Sequence, residues 1–126
     1  MAVLVTAEDD EDIRMLMTRS LRKAGHRVIA VADGVQGLAA VRKHHPDAVI
    51  TDIDMPYMTG LQLCREIRRD PELKHIPVVV VSGSLDTEDS DVMEAGVTAV
   101  ISKPFVAGVL LHQLTEVLGH PSQQSL

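Results

Sequence analysis

The chain has 126 residues, 45% of them hydrophobic, enough to fill one core and too few for two domains of ordinary size. Its aromatics are confined to Tyr57 and Phe105, with no Trp, which excludes single-strand nucleic-acid binding by base stacking. A formal net charge of -6 leaves no basic footprint for nucleic acid and suits a protein that binds cations or a basic partner surface.

The opening stretch MAVLVTAEDDED has neither a basic n-region nor a cleavage site, so it is not a signal peptide. Residues 3–7 (VLVTA) read as a strand. Residues 11–25 read as a helix with Ile13, Leu16, Met17 and Leu21 on one stripe and Gly25 as its stop. A second strand follows over 27–32 (RVIAVA), then a helix over 34–44 that places Val35, Leu38 and Val41 together. The third strand covers 47–51 (DAVIT). The third helix, over 60–69, carries Leu63, Cys64 and Ile67 and is ended by Asp70-Pro71. The fourth strand covers 76–82 (IPVVVVS). The weakest helical pattern, over 86–95, is closed by Gly96. The fifth strand covers 98–102 (TAVIS). The fifth helix, over 105–118, sets Leu110, Leu111, Leu114, Val117 and Leu118 on one face, with Val109 as a spare apolar edge suited to a homodimer. The tail from 120 to 126 is polar and breaker-rich, which predicts disorder beyond a single domain over 1–119.

Near-continuous apolar runs, rather than alternating ones, predict strands covered on both faces, as in a parallel sheet. Strand–helix alternation repeated five times predicts an α/β fold with right-handed crossovers. No apolar run approaches the length of a membrane span, so no membrane association is expected. The lone Cys64 can form no internal disulfide and reads as a small core residue, which suits a reducing, cytoplasmic setting.

In open α/β sheets the site lies at the carboxyl ends of the strands. The first strand is followed there by Glu8, Asp9 and Asp10, the third by Asp52 and Asp54 within TDIDMPYMTG. The fourth ends on Ser82, followed by Gly83 and Ser84, and the fifth on Ser102-Lys103-Pro104. Clustered carboxylates repel one another unless a cation neutralises them. Hard oxygen ligands suit Mg²⁺. A hydroxyl and a lysine opposite the metal suit a phosphoryl group, and an aspartate between them can be the nucleophile of an acyl phosphate.

Five motifs, in order, make the chain over roughly residues 3–118 resemble a response-regulator receiver domain, the phosphoacceptor module of two-component signalling. They are LVTAEDDEDIR, VADGVQGL, PDAVITDIDMPYMTGLQL, IPVVVVSG and GVTAVISKPF. The resemblance implies a doubly wound, flavodoxin-like (βα)5 fold: a five-stranded parallel sheet of order 2-1-3-4-5. It implies Asp52 as phosphoacceptor, with Mg²⁺ held by Asp9 directly, by Glu8 partly through water, by Asp52 and by the Asp54 backbone carbonyl. It further implies that Ser82 bonds a phosphoryl oxygen, that Lys103 pairs with the phosphoryl group, and that Lys103–Pro104 is a cis bond aiming the lysine at the site. The implied donor is a histidine kinase or phosphotransfer protein. The implied output is a conformational change read by a downstream protein partner, or a linked domain, at the face of the fourth helix, fifth strand and fifth helix, with no nucleic acid contacted directly. Such a domain is not an enzyme beyond its own phosphorylation and dephosphorylation. No effector domain follows residue 118, which fits a stand-alone receiver or one cut from a larger regulator.

Two departures stand out. Val100 occupies a position where the family often carries a switching Tyr or Phe, and the segment from Ser82 to Gly96 is about one residue short of the family pattern. They motivate an alternative, a degenerate receiver that binds its partner without phosphate. An enzyme alternative, a haloacid-dehalogenase-like phosphatase using Asp52 and Asp54 as a D-x-D pair, lacks an acidic motif soon after Lys103. Plainer readings compete for single residues. Asp10, Glu11 and Asp12 suit the positive end of the first helix. Asp54 suits a turn before Pro56. His44, His45 and His75 lack a metal-ligand spacing and read as surface. Met55 and Met58 read as loop packing.

Overall fold

The computed structural model describes residues 1–83 and 90–119. The elements run β1 (Val3–Ala7), α1 (Glu11–Lys23), β2 (Arg27–Val31), α2 (Gly34–His44), β3 (Ala48–Asp52), α3 (Gly60–Arg69), β4 (Val78–Ser82), α4 (Ser90–Glu94), β5 (Ala99–Ser102) and α5 (Ala107–Gly119). The five strands form one parallel sheet in the order β2-β1-β3-β4-β5. Expected helix residues 86–89 and the expected disordered tail, 120–126, lie outside the described residues.

β3 and β4 are buried at every position, because both faces are covered. One face packs Val5, Val49, Val78 and Val80 against Leu38 and Val41 of α2 and Leu63, Cys64 and Ile67 of α3. The other packs Leu4, Ile50, Val79 and Val81 against Met17 and Leu21 of α1 and Leu110 and Leu114 of α5. Full burial of each such aliphatic side chain contributes about 1.5–3 kcal/mol. Coverage on both faces fails at the sheet edges, where β2 exposes Arg27 and Ala30 and β5 is buried only at Ile101.

Local chemistry explains the helix boundaries. Asp10 caps α1 by accepting from the Ile13 N–H at 3.0 Å, and Glu11 and Asp12 fill its first turn, so the plain reading of these three acids holds. α1 stops at Lys23, two residues short of the expected glycine. Gly25, at φ 97°, donates to the Arg22 carbonyl and His26 donates to the Leu21 carbonyl, which is the Schellman pattern of closure. Asp33 caps α2 through the Gln36 N–H at 2.8 Å. Thr59 and Gln62 form a reciprocal capping box at the start of α3.

Two stripe assignments need correction. Leu16 is 46% exposed and Val35 is 51% exposed. On α1 the sheet is met by residues four apart, Met17 and Leu21, and Leu16 lies a third of a turn round from them. On α2 the buried stripe is Gly34, Gly37, Leu38 and Val41, with Val35 likewise rotated away.

Candidate functional site

The carboxyl ends of β1, β3, β4 and β5 meet at one rim. β3 runs one residue further than the sequence suggested, so Asp52 is its last strand residue rather than a loop residue. Its main chain is held on both sides. The Ile53 N–H reaches the Val81 carbonyl at 3.2 Å and the Asp52 Oδ1 at 2.9 Å, and the Thr51 hydroxyl donates to the Asp52 carbonyl at 2.9 Å. Gly60 closes the loop behind it, donating to the Ile53 carbonyl at 2.9 Å. A Cβ at Gly60 would run into the Asp52 carbonyl oxygen, so only glycine lets α3 start this close to the strand end.

Glu8 leaves β1 with no solvent exposure. Its N–H continues the sheet to the Val31 carbonyl at 3.1 Å, its carbonyl accepts from Arg14 Nη1 at 2.9 Å, and its Oε2 accepts from the Asp10 N–H at 3.1 Å. Asp9, the next residue, is exposed. One carboxylate oxygen from each of Glu8, Asp9 and Asp52 lies within 4.8 Å of the others. Lys103 Nζ sits between the two buried acids, 2.9 Å from Glu8 Oε1 and 3.2 Å from Asp52 Oδ2. Its backbone N–H donates to the Ser82 carbonyl at 2.8 Å, which ties the β5 exit to the end of β4. The Lys103–Pro104 peptide is cis, as the resemblance implied. The Ser82 side chain is buried at that end of β4, one register step beyond the Asp52–Val81 pair.

Burial raises the pKa of Asp52, and the neighbouring Lys103 charge only partly offsets it. Burial likewise raises Glu8, helped by the Asp52 charge and opposed by Lys103 and the Asp10 N–H. For Lys103 burial works against the ammonium, but Glu8 and Asp52 outweigh it and the pKa rises. Burial thus disfavours ionisation of both acids, while the two acids together hold the ammonium charged. With Asp9 beside them, three acids face one ammonium, an excess of two negative charges when all are ionised. Among the described residues Glu8 Oε1 is shielded from solvent with no aligned hydrogen-bond donor, only the ion pair to Lys103. A carboxylate-lined site with two excess charges fits a hard divalent cation.

Glu8, Asp9, Asp52, Ser82 and Lys103 thus gather at one rim, and Asp54 stands exposed in the loop just beyond. The three histidines stay outside the acid cluster, with His45 capping α2 in a left-handed conformation. Two contributors carried no sequence signal of their own. Arg14 reaches the Glu8 carbonyl from the first turn of α1, and Thr51 braces Asp52 from the opposite side of the strand. Gly60 was visible only as the first residue of the third helix.

Residues 3–115 match the family model described as response regulator receiver domain. The chain is similar to the polar-differentiation response regulator DivK of Brucella ovis, 31% identical over 113 residues that cover 88% of this chain and 92% of that protein. It is also similar to the sensory/regulatory protein RpfC of Xanthomonas campestris pv. campestris, 38% identical over 117 residues, covering 90% of this chain but 16% of that larger protein. Among solved structures it resembles the chemotaxis response regulator CheY4 of Vibrio cholerae, with a TM-score of 0.89 at 31% identity, covering 94% of this chain and 99% of that one. The receiver domain of the sensor histidine kinase PA1611 of Pseudomonas aeruginosa, which holds a magnesium ion in its active-site cleft, aligns with a TM-score of 0.87 at 26% identity, covering 94% and 98%.

Proposed function

This chain belongs to the response regulator receiver domains of two-component systems, and from that premise we propose that Asp52 is its phosphoacceptor. The observation that carries the reading is the placement of a buried aspartate at the end of β3 with a lysine ammonium 3.2 Å from its Oδ2. The donor is a phosphohistidine on a histidine kinase or phosphotransfer protein. An Asp52 carboxylate oxygen attacks phosphorus, the phosphorus–nitrogen bond breaks, and the imidazole leaves and is protonated by solvent. Lys103 moves its charge from the two carboxylates to the incoming phosphoryl oxygens, and the Ser82 hydroxyl donates to one of them. Glu8 holds Lys103 in reach throughout, and Glu8, Asp9, Asp52 and the Asp54 carbonyl form the cation site. When bound there, Mg²⁺ supplies positive charge to the carboxylates and to the transferred group. The magnesium in the cleft of the PA1611 receiver supports that choice of ion.

The domain in this reading is a cytoplasmic switch rather than a turnover enzyme. Its only chemistry is its own phosphorylation and slow dephosphorylation. Phosphorylation shifts a pre-existing equilibrium at the α4–β5–α5 face, which a downstream protein reads. Exposed Met93 of α4 and Val109 of α5, with Val106 just before α5, suit a protein partner or a second copy. The alternative of a phosphate-independent binding module draws on Val100, half-buried in β5 and paired with Val80. The acid–lysine set gathered on Asp52 speaks for the switch. Intact mass after incubation with acetyl phosphate and Mg²⁺, beside Asp52→Asn, decides between them. One adduct that needs Mg²⁺ and is lost in the variant is expected; no adduct leaves a scaffold that binds without phosphate.

A further inference from the structure

Tyr57 is the chain's only tyrosine and it is 85% exposed. It also stands at φ 69°, the left-handed region that bulky L-residues avoid, at the centre of a three-residue turn closed by the Met58 N–H to the Pro56 carbonyl at 2.7 Å. Glycine would fill that position without strain, so neither packing nor turn geometry accounts for the ring. Beside it runs an open groove of about 360 Å³ lined by Tyr57, Met58, Gln62, Arg65, Glu66 and Arg69. The groove is lined by the loop before α3 and by α3 itself, and it shares no residue with the acid cluster or with α4, β5 and α5.

Its charge is opposite to that of the molecule. The chain carries -6, yet the groove sets two guanidiniums against one carboxylate. Glu66 Oε2 is taken by Arg69 Nη1 at 2.9 Å, and among the described residues no acceptor is paired with Arg65. Arg65 and Arg69 are four residues apart and therefore neighbours on one helix face. Tyr and Arg, with Trp, are the side chains enriched at binding hot spots: Tyr offers a rigid amphipathic surface, and Arg a planar fork matched to carboxylates.

We propose that this groove is a docking site for an acidic, partly aliphatic segment of a partner protein, its carboxylates paired with Arg65 and Arg69 and an apolar side chain laid on Tyr57. The inference goes beyond the phosphoacceptor reading and uses none of that site's residues.

The test is titration of the isotopically labelled full chain with a short peptide of alternating Glu and Leu, followed by NMR. Free glutamate and a Lys/Leu peptide serve as comparisons. Saturable shifts centred on Tyr57, Gln62 and the Arg65 side chain are expected, weakening as salt rises. Arg65→Glu/Arg69→Glu and, separately, Tyr57→Ser should each weaken the peptide about tenfold or more while leaving acetyl-phosphate labelling unchanged. Three results would overturn the proposal: no saturable shift, shifts indifferent to both variants, or equal binding of the Lys/Leu peptide. Equal shifts with free glutamate would also overturn it, by reducing the groove to a small-anion site.

Discussion

Replacing Lys103 with Met keeps most of the stem volume and removes the one positive charge between Glu8 and Asp52. At 2.9 and 3.2 Å, and at an effective dielectric constant near 20, each contact has a Coulomb energy of roughly 5–6 kcal/mol before desolvation is subtracted. Lys103 is only 19% exposed, so water replaces little of what is lost. Breaking a buried pair by removing one partner costs about 3–5 kcal/mol, and protonation of a stranded carboxylate relieves part of that. In EDTA at pH 8 the variant is therefore expected to lose about 3 kcal/mol, a urea-midpoint shift of roughly 1.5 M at a slope near 2 kcal/mol/M. The pH dependence has a definite sign. Asp52 and Glu8 have folded-state pKa values above the ordinary carboxylate range. Their contribution is fully present below the ordinary value and is lost as pH rises through the raised one. Lys103 is raised as well, so its own contribution persists through neutral pH and is lost only as pH climbs through the raised amine value. Removing Lys103 lifts both carboxyls further, so the deficit should be clearly smaller at pH 5 than at pH 8. In an Asp52→Asn background it should shrink at pH 8 also, because one acid then remains to be stranded. Urea melts of the four proteins at the two pH values provide the check. A deficit under about 1 kcal/mol, equal at both pH values, would show that the Lys103 ammonium does not sustain the two buried acids.

Two further substitutions probe the backbone around the site. Gly60→Ala drives a methyl into the Asp52 carbonyl, with the Asp52 carbonyl carbon at 2.9 Å and Ile53 Cα at 3.1 Å. It should cost about 2 kcal/mol, an order of 8 °C in Tm, whereas Gly108→Ala, in α5 with nothing within 4 Å, should raise Tm slightly, a gain of up to about 1 kcal/mol, in the same calorimetric scan. Tyr57→Gly should do the opposite: it releases a left-handed penalty of about 1–2 kcal/mol against a glycine entropy cost of about 0.5–1, for a net gain near 0.5–1 kcal/mol by urea melt.

Much of this molecule was legible in the residues, for identifiable reasons. A strand covered on both faces has to be apolar throughout, so β3 and β4 declared themselves as Val- and Ile-rich runs. α2 and α3 began and ended where their patterns said, because Asp33 and Thr59 are capping residues and Asp70-Pro71 cannot continue a helix. Leu16 and Val35 were assigned to the wrong side because a stripe three or four residues wide does not say which of its edges meets the sheet. The apolar runs of β2 and β5 carried no record of their edge position, which only the strand order implied by the family resemblance supplied.

The alternation of strands and helices is written in the residues, and with it the meeting of Glu8, Asp9, Asp52, Ser82 and Lys103 at one rim. Parallel strands all point the same way, so residues that end strands must share an edge. The electrostatics arise only in the folded arrangement. Glu8 is sealed while Asp9 faces water, Lys103 divides its charge between two acids, and Arg14 and Gly60 hold the frame. Those properties depend on distances of a few ångströms between chain segments far apart in sequence, and on how much water each pair is denied.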